Sequence, residues 1–314
     1  MLVQSALMRV AVLGPGGVGG LVAGALARAD TPVVVVARDS TVETISRRGL
    51  AVKSVLLGDF LTHPPAAARL GEPVDALILA TKAAGLPEAL ERVAIAPKLV
   101  LPLLNGLDHI ALLRERFAAE TVLAGTIRVE ADRPEPGVTV HTSKFLRVEM
   151  ASRYPAARIA MGRLASVLSD AGIPALMGES EPQVMWSKLV RLNALACTTS
   201  AYDKLLGEIR STPTLRAELM GAIEEGCNVA RAEGASISDG DPLGELTAAH
   251  DTLGSSMQRD IAAGRAPELD AIPGAVLRAA ARHGIECPTI ERLVGLIAAR
   301  AGVPRPVVGS TMDD

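Results

Sequence analysis

Aromatic side chains are nearly missing from this chain, with one Trp, two Tyr and three Phe among 314 residues. Its core must therefore be built mainly from Ala, Val, Leu and Ile, and a 49% apolar content is ample for that. Long basic runs are missing too, and the net charge is −3. This removes the electrostatic footprint expected of a nucleic-acid or membrane-surface binder. Cysteine is scarce: Cys197, Cys227 and Cys287 lie far apart without metal-ligand spacing. They read as buried, reduced thiols of a cytosolic protein, with no metal site. No window of about 18 uninterrupted apolar residues occurs, so no membrane span is expected. Residues 1–7 lack a basic region followed by a sustained apolar stretch, which argues against a signal peptide. GxSxG, HExxH and a phosphate loop ending in Gly-Lys-Ser/Thr are absent, as are internal repeats and low-complexity segments.

What is present is Gly14-Pro15-Gly16-Gly17-Val18-Gly19, directly behind the apolar run Val10 to Leu13 and opening an Ala/Leu/Val-rich helical stretch. That context is what a dinucleotide-binding turn requires. Gly14 permits the tight turn, Gly16 lets backbone approach a pyrophosphate, and Gly19 lets helix and strand pack closely. The helix start, from Gly17 and Val18, then presents free N–H groups and a positive dipole end to phosphate. A second strand expected at 33–37 ends in Arg38-Asp39-Ser40. An arginine there suits a 2′-phosphate and favours NADP, whereas Asp39 leaves open a ribose contact or a pair with Arg38.

The first half alternates apolar runs with helical patterns, the mark of a parallel sheet with crossover helices. Strands are expected at 9–13, 33–37, 75–80, 98–103 and 122–128, and helices near 18–29, 42–48, 87–94 and 108–116. The turn cluster Arg133-Pro134-Glu135-Pro136-Gly137 then separates runs at 125–131 and 138–142, with another at 146–151, which reads as an antiparallel addition to the sheet edge. A helix at 156–171 and a run at 174–177 close this domain. Five helical patterns follow, at 182–201, 214–232, 251–263, 272–284 and 289–301. The expectation is an α/β dinucleotide-binding domain of doubly wound parallel sheet over 8–179, an all-helical substrate domain over 180–303, and a flexible tail over 304–314. The apolar helices of the second domain are a candidate homodimer face.

In open parallel sheets, ligands bind beyond the carboxyl ends of the strands. Those ends carry the glycine turn, Arg38, Thr81-Lys82 and Asn105-Gly106. Taken singly, Lys82 also reads as a solvated lysine and Asn105-Gly106 as a plain turn. In the helical half, Lys188 stands among Val184, Met185, Leu189 and Val190. A lysine partly buried near a cleft can serve as proton donor, although a snorkelling surface lysine fits the same pattern. Ser255-Ser256-Met257 and Glu268-Leu269-Asp270 alone imply only a polar helix, a turn and a cap.

Taken in order, these motifs resemble the ketopantoate reductase family from about Met8 to Ala301. The resemblance implies a Rossmann domain and a helical domain with the active site between them, reducing 2-dehydropantoate to pantoate with NADPH on the route to coenzyme A. It also implies that Lys188 protonates the carbonyl oxygen and that Glu268 supports the site and contacts a substrate hydroxyl. Asn105 would bond the substrate or the lysine and flank the nicotinamide, Ser256 would help hold the carboxylate, and Lys82 and Arg38 would be cofactor-side cations. Family members often carry asparagines four and eight residues beyond the lysine; here those positions are Leu192 and Ala196, with Asn193 one place off. This depletion of polar contacts points toward a bulkier or more apolar 2-oxo acid, or another ketone. Two further readings stay open: a different two-domain dehydrogenase, and an NADP-binding sensor without catalysis.

Overall fold

The computed structural model describes residues 7–309. The chain divides into two compact units. One contains residues 7–104 together with His109–Val184; the other contains Asn105–Asp108 and residues 185–309.

The first unit is organised by a five-stranded parallel sheet in the order Ala66–Ala67, Val33–Val36, Val10–Leu13, Ala76–Leu79, Val100–Pro102. Val10–Leu13 and Ala76–Leu79 are buried at every residue. Their uninterrupted apolar character follows, because a parallel sheet is covered on both faces. The helix Gly17–Arg28 crosses from Val10–Leu13 to Val33–Val36, and it, Asp39–Arg48 and His109–Arg116 match the expected helices within a few residues.

The edge addition takes a different form from the one expected. Ala131–Glu135 and Val138–His141 make an antiparallel hairpin, but Val138–His141 pairs in parallel with Leu50–Ser54, within a separate four-stranded sheet. That sheet packs on the helix Gly17–Arg28, which meets it through a stripe of glycines. A Cβ on Gly17 would lie 2.4 Å from the Ala131 carbonyl oxygen, and one on Gly20 would lie 2.1 Å from Thr139 Oγ1. Arg147–Ala151 pairs antiparallel with Ala124–Arg128 in a third sheet, and Val122 bridges to Val100 of the main one. The strand Leu50–Ser54 was not anticipated, although its alternating burial carries the period of a half-covered strand. Pro134 is tolerated in Ala131–Glu135 because that strand is a sheet edge.

No strand occurs beyond Met177 among the described residues. The helical unit packs Trp186, Leu189, Val190, Leu219, Ile223, Ile272, Ile290 and Ile297 into one core. Its helices include Pro213–Ala232, Ser256–Ala262, Ala275–Arg282 and Pro288–Ala301. Gly240–Ala248 is an unanticipated helix, hidden in sequence by its Gly-Asp-Pro start. The three cysteines are buried free thiols, and burial pushes Cys227 and Cys287 up to about 12.

The division between units falls inside the helix Glu181–Tyr202, at Val184, rather than at residue 180. The helix begins on the first unit, where Glu181 accepts from Arg114 at 2.6 Å and from the Arg153 N–H at 2.8 Å. The stretch 304–307, expected to be loose, is held. Arg278 donates to the Val307 carbonyl at 3.2 Å, and Pro306 lies against Gly274. The rest of the expected tail, from 310 on, lies outside the described residues, as do residues 1–6.

Candidate functional site

In the first unit the glycine turn leaves Val10–Leu13 with Gly14 at φ +89°, a conformation costly for any residue with a side chain. A Cβ there would also strike the Thr81 methyl at 2.7 Å. On Gly19 a Cβ would lie 2.2 Å from the Gly14 carbonyl oxygen, so the helix can close on the turn only without one. The helix Gly17–Arg28 follows an extended Gly16, and no side chain caps it. Its first N–H groups, those of Gly17, Val18 and Gly19, lack the intrahelical acceptors that later turns enjoy. A narrow cradle of unsatisfied donors at the positive end of a helix fits an anionic pyrophosphate. The Thr81 hydroxyl oxygen is buried and has no hydrogen-bond partner among the described residues. It stands beside Gly14, as a group that a bound cofactor would satisfy. In sequence, Thr81 stands out only as the neighbour of Lys82 at a strand end.

Arg38 follows the second strand, is exposed, and begins the helix Asp39–Arg48. It has no ion-pair partner among the described residues, and Asp39 sits in the first turn of that helix, where the dipole favours a carboxylate. Lys82 is exposed at the start of the short turn Ala83–Gly85 after the strand Ala76–Leu79. A cleft of about 930 Å³ lined by Arg9, His63 and Glu72 lies at the amino ends of the strands, the edge away from the glycine turn.

The helical unit brings together three of the predicted residues. Lys188, only 9% exposed, donates from Nζ to Asn105 Oδ1 at 2.9 Å. Asn105 in turn donates from Nδ2 to Glu268 Oε2 at 2.9 Å. One amide thus links a buried ammonium to a carboxylate, and both hydrogen bonds are charge-assisted. The helix Glu181–Tyr202 fixes Lys188, whose neighbours Trp186, Leu189 and Val190 are all nearly fully buried.

Asn105 is placed by its neighbour. Gly106 adopts φ +89°, and a Cβ on it would come within 2.0 Å of the Ala271 carbonyl oxygen. The Asn-Gly pair is therefore a close approach of the segment Asn105–Asp108 to the chain just after Glu268. That chain forms the wide turn Asp270–Gly274. Gly274 N donates five residues back to Leu269 O, and Pro273 supplies no N–H to tighten the ladder. Such widened turns are frequent at functional sites.

Two predicted substrate contacts do not join this group. Asn193 is fully buried, accepts from the Cys197 thiol at 3.4 Å, and keeps Nδ2 without a partner among the described residues. Five positions beyond Lys188 is roughly 140° around a helix, so Asn193 faces the core instead. Ser256 is exposed as the first residue of its helix. The buried serine is Ser255, which caps that helix by accepting from Gln258 N and is bonded by Thr199 Oγ1 at 2.9 Å. Leu192 packs on the helical core, and Ala196 is fully buried. A residue that the sequence reading missed is Arg278, which donates to Asp108 Oδ2 at 2.6 Å and to Asp270 Oδ1 at 2.8 Å. Among the described residues no cluster of His, Cys, Asp and Glu could hold a metal ion, and no helix is long and apolar enough to cross a membrane.

Comparison with known proteins gives two family matches. The model described as ketopantoate reductase PanE/ApbA matches residues 10–152, and its C-terminal companion matches residues 182–301. The chain is 32% identical over 299 residues to a 2-dehydropantoate 2-reductase of Halobacterium salinarum, covering 92% of this chain and 98% of that one. Among solved structures, a 2-dehydropantoate 2-reductase from Geobacter metallireducens superposes with a TM-score of 0.86 at 26% identity, over 93% of this chain and 99% of that one. D-Mandelate dehydrogenase, solved with NADH and anilino(oxo)acetate, gives the same TM-score at 22% identity over 94% and 99%. That last likeness is one of fold.

Proposed function

Because the chain belongs to the ketopantoate reductase PanE/ApbA family, we propose that it is an NADPH-dependent reductase of a 2-oxo acid, with 2-dehydropantoate, reduced to pantoate, as first candidate. The observation that carries this reading is the chain of hydrogen bonds from Lys188 through Asn105 to Glu268. When bound, the nicotinamide supplies the hydride, and the protein supplies position and field.

The remaining chemistry falls to this chain's side chains. As the ketone carbon gains a hydride, negative charge grows on its oxygen. An ammonium within hydrogen-bond reach stabilises that charge and delivers the proton that completes the alcohol. Lys188 is the candidate donor. Its burial limits competition from water, and Asn105 fixes the direction of its ammonium. Glu268 anchors the other end of the amide, so that Asn105 presents its oxygen, not its nitrogen, to the ammonium. Gly14, Gly16, Gly17, Val18 and Gly19 would cradle the pyrophosphate, with Thr81 and Lys82 beside it. Arg38 would grip the 2′-phosphate, which is why NADPH is preferred in this reading over NADH.

A second reading concerns the substrate. Leu192 and Ala196, four and eight residues beyond Lys188 on the same helical face, are apolar. Leu192, the half-buried one of the two, favours a 2-oxo acid with a larger apolar side chain, whereas Ala196 is fully buried. The same hydrogen-bond relay speaks against a cofactor sensor without catalysis, since a pure binder has no use for a held proton donor.

The test is NADPH oxidation followed in the near-ultraviolet, with 2-dehydropantoate beside pyruvate, 2-oxoisovalerate and a longer branched 2-oxo acid. Turnover favouring 2-dehydropantoate supports the first reading. Preference for another oxo acid supports the second. Tight NADPH binding with no turnover on any of them refutes both.

A further inference from the structure

We propose that Arg278 is a positioning residue for the reduction, holding Asn105 between Lys188 and Glu268 by gripping the two chain segments that carry the amide and the carboxylate. The proposal rests on the proton-donor reading of Lys188 given above.

The segment Asn105–Asp108 belongs to no helix or strand and leads directly into the helix His109–Arg116. Leu107 packs on the helical core, and two contacts fix the segment on either side of it. Gly106 lies under the Ala271 carbonyl. Asp108, three residues after Asn105, receives Arg278 Nη2 at 2.6 Å. The same guanidinium donates from Nη1 to Asp270 Oδ1 at 2.8 Å and from Nη2 to the Asp270 carbonyl at 2.9 Å. Asp270 lies two residues after Glu268. One planar fork therefore spans both segments, which a lysine's single point charge does not do. A further bond from Nη1 to the Val307 carbonyl at 3.2 Å fixes the fork from the side.

Energetics favour a geometric role over a stabilising one. The side chains of Asp108 and Asp270 are 50% and 73% exposed, and ion pairs so open to water add little to folding stability. Their effect on a catalytic group is larger, because a displacement of about 1 Å at a reacting group can cost on the order of 10²-fold in rate.

The experiment compares wild type with Arg278→Met, Asn105→Ala and the double variant, reading kcat, KM and NADPH affinity. Arg278→Met is expected to lower kcat by about 10- to 100-fold, while NADPH affinity is unchanged, the glycine turn belonging to the other unit. If Arg278 acts through Asn105, the double variant loses no more than Asn105→Ala alone. Losses that multiply, or a kcat that survives Arg278→Met, overturn the proposal. Should Arg278→Met fail to fold, Asp108→Ala removes the partner on the Asn105 segment and carries the same cycle. A wild type inactive on every 2-oxo acid sinks the functional reading instead. In that event, crystal structures of the Asp108 and Arg278 variants still decide the geometry: an Asn105 amide that stays within hydrogen-bond reach of Lys188 and Glu268 overturns the positioning role.

Discussion

Replacing Gly106 by Ala adds one methyl group where backbone approaches a glycine most closely among the described glycines of the helical unit. The new carbon would begin 2.0 Å from the Ala271 carbonyl oxygen. Carbon and oxygen rest in contact at roughly 3.3 Å, so the segment Asn105–Asp108 must recede by roughly 1 Å or the turn Asp270–Gly274 must open by as much. The backbone at φ +89° adds a conformational cost of roughly 1–2 kcal/mol for a residue with a Cβ. Either movement stretches the two 2.9 Å bonds of Asn105 toward and past about 3.6 Å, where a hydrogen bond no longer counts as one. The proton donor then loses its direction, and the expected fall in kcat is on the order of 10²-fold. Steady-state kinetics, run beside thermal unfolding, separates this from general destabilisation. The variant should remain folded at the assay temperature, bind NADPH as tightly as wild type, and turn over slowly. An unchanged kcat in a folded variant would refute the view that Asn105 must be held in this place.

Other expectations follow from the same geometry. Lys188→Ala should lower turnover by about 10²-fold or more while NADPH affinity, measured by fluorescence titration, stays near wild type; undiminished turnover would mean that another group donates the proton. Arg38→Asp should move cofactor preference from NADPH toward NADH, and an unaltered ratio of kcat/KM values would show that a different residue reads the 2′-phosphate. His141 is held buried between the Ser54 hydroxyl at 2.8 Å and the Ser143 hydroxyl at 3.0 Å, and burial pushes its imidazole below 6.5. A group with a depressed folded value binds its proton more readily when unfolded. Its contribution to stability is thus complete above the unfolded value of about 6.5 and declines as pH falls below it. Denaturant unfolding across that range should show a pH-dependent loss in wild type that is smaller in His141→Gln, and parallel curves would show that the imidazole does not carry it.

Much of the architecture was readable because it is local. Val10–Leu13 is apolar throughout and Gly14 to Gly19 follows at once, so strand, turn and helix are specified within neighbouring residues. The helices Glu181–Tyr202 and Pro288–Ala301 repeat their apolar positions at helical spacing, and their bounds came within a residue or two. The strand Leu50–Ser54 was missed although its alternation is visible, because five residues without a turn signature compete poorly with a loop. The run 138–142 and a turn before it were expected, but residues 133–135, read as turn, belong to the strand Ala131–Glu135, and the parallel partner of Val138–His141 was not foreseen. Choosing Leu50–Ser54 depends on the glycine stripe of Gly17–Arg28 admitting a second sheet, which no local pattern states.

At the candidate site the division is sharper. The motifs marked Lys188, Asn105 and Glu268 as residues to watch, yet the bonds among them join positions 83 and 163 residues apart. Asn193 shows the limit from the other side: by residue type it was eligible, but one position along a helix turns a side chain by roughly 100°, and it faces the core. Arg278 and Asp108, 170 residues apart, carry no motif at all. Sequence alone determined the elements and their order, because backbone propensity and apolar period act over a few residues. Only the tertiary structure decided which amide stands between which charges, because hydrogen bonds reach about 3 Å and depend on where the whole chain has folded, not on how far apart two residues are along it.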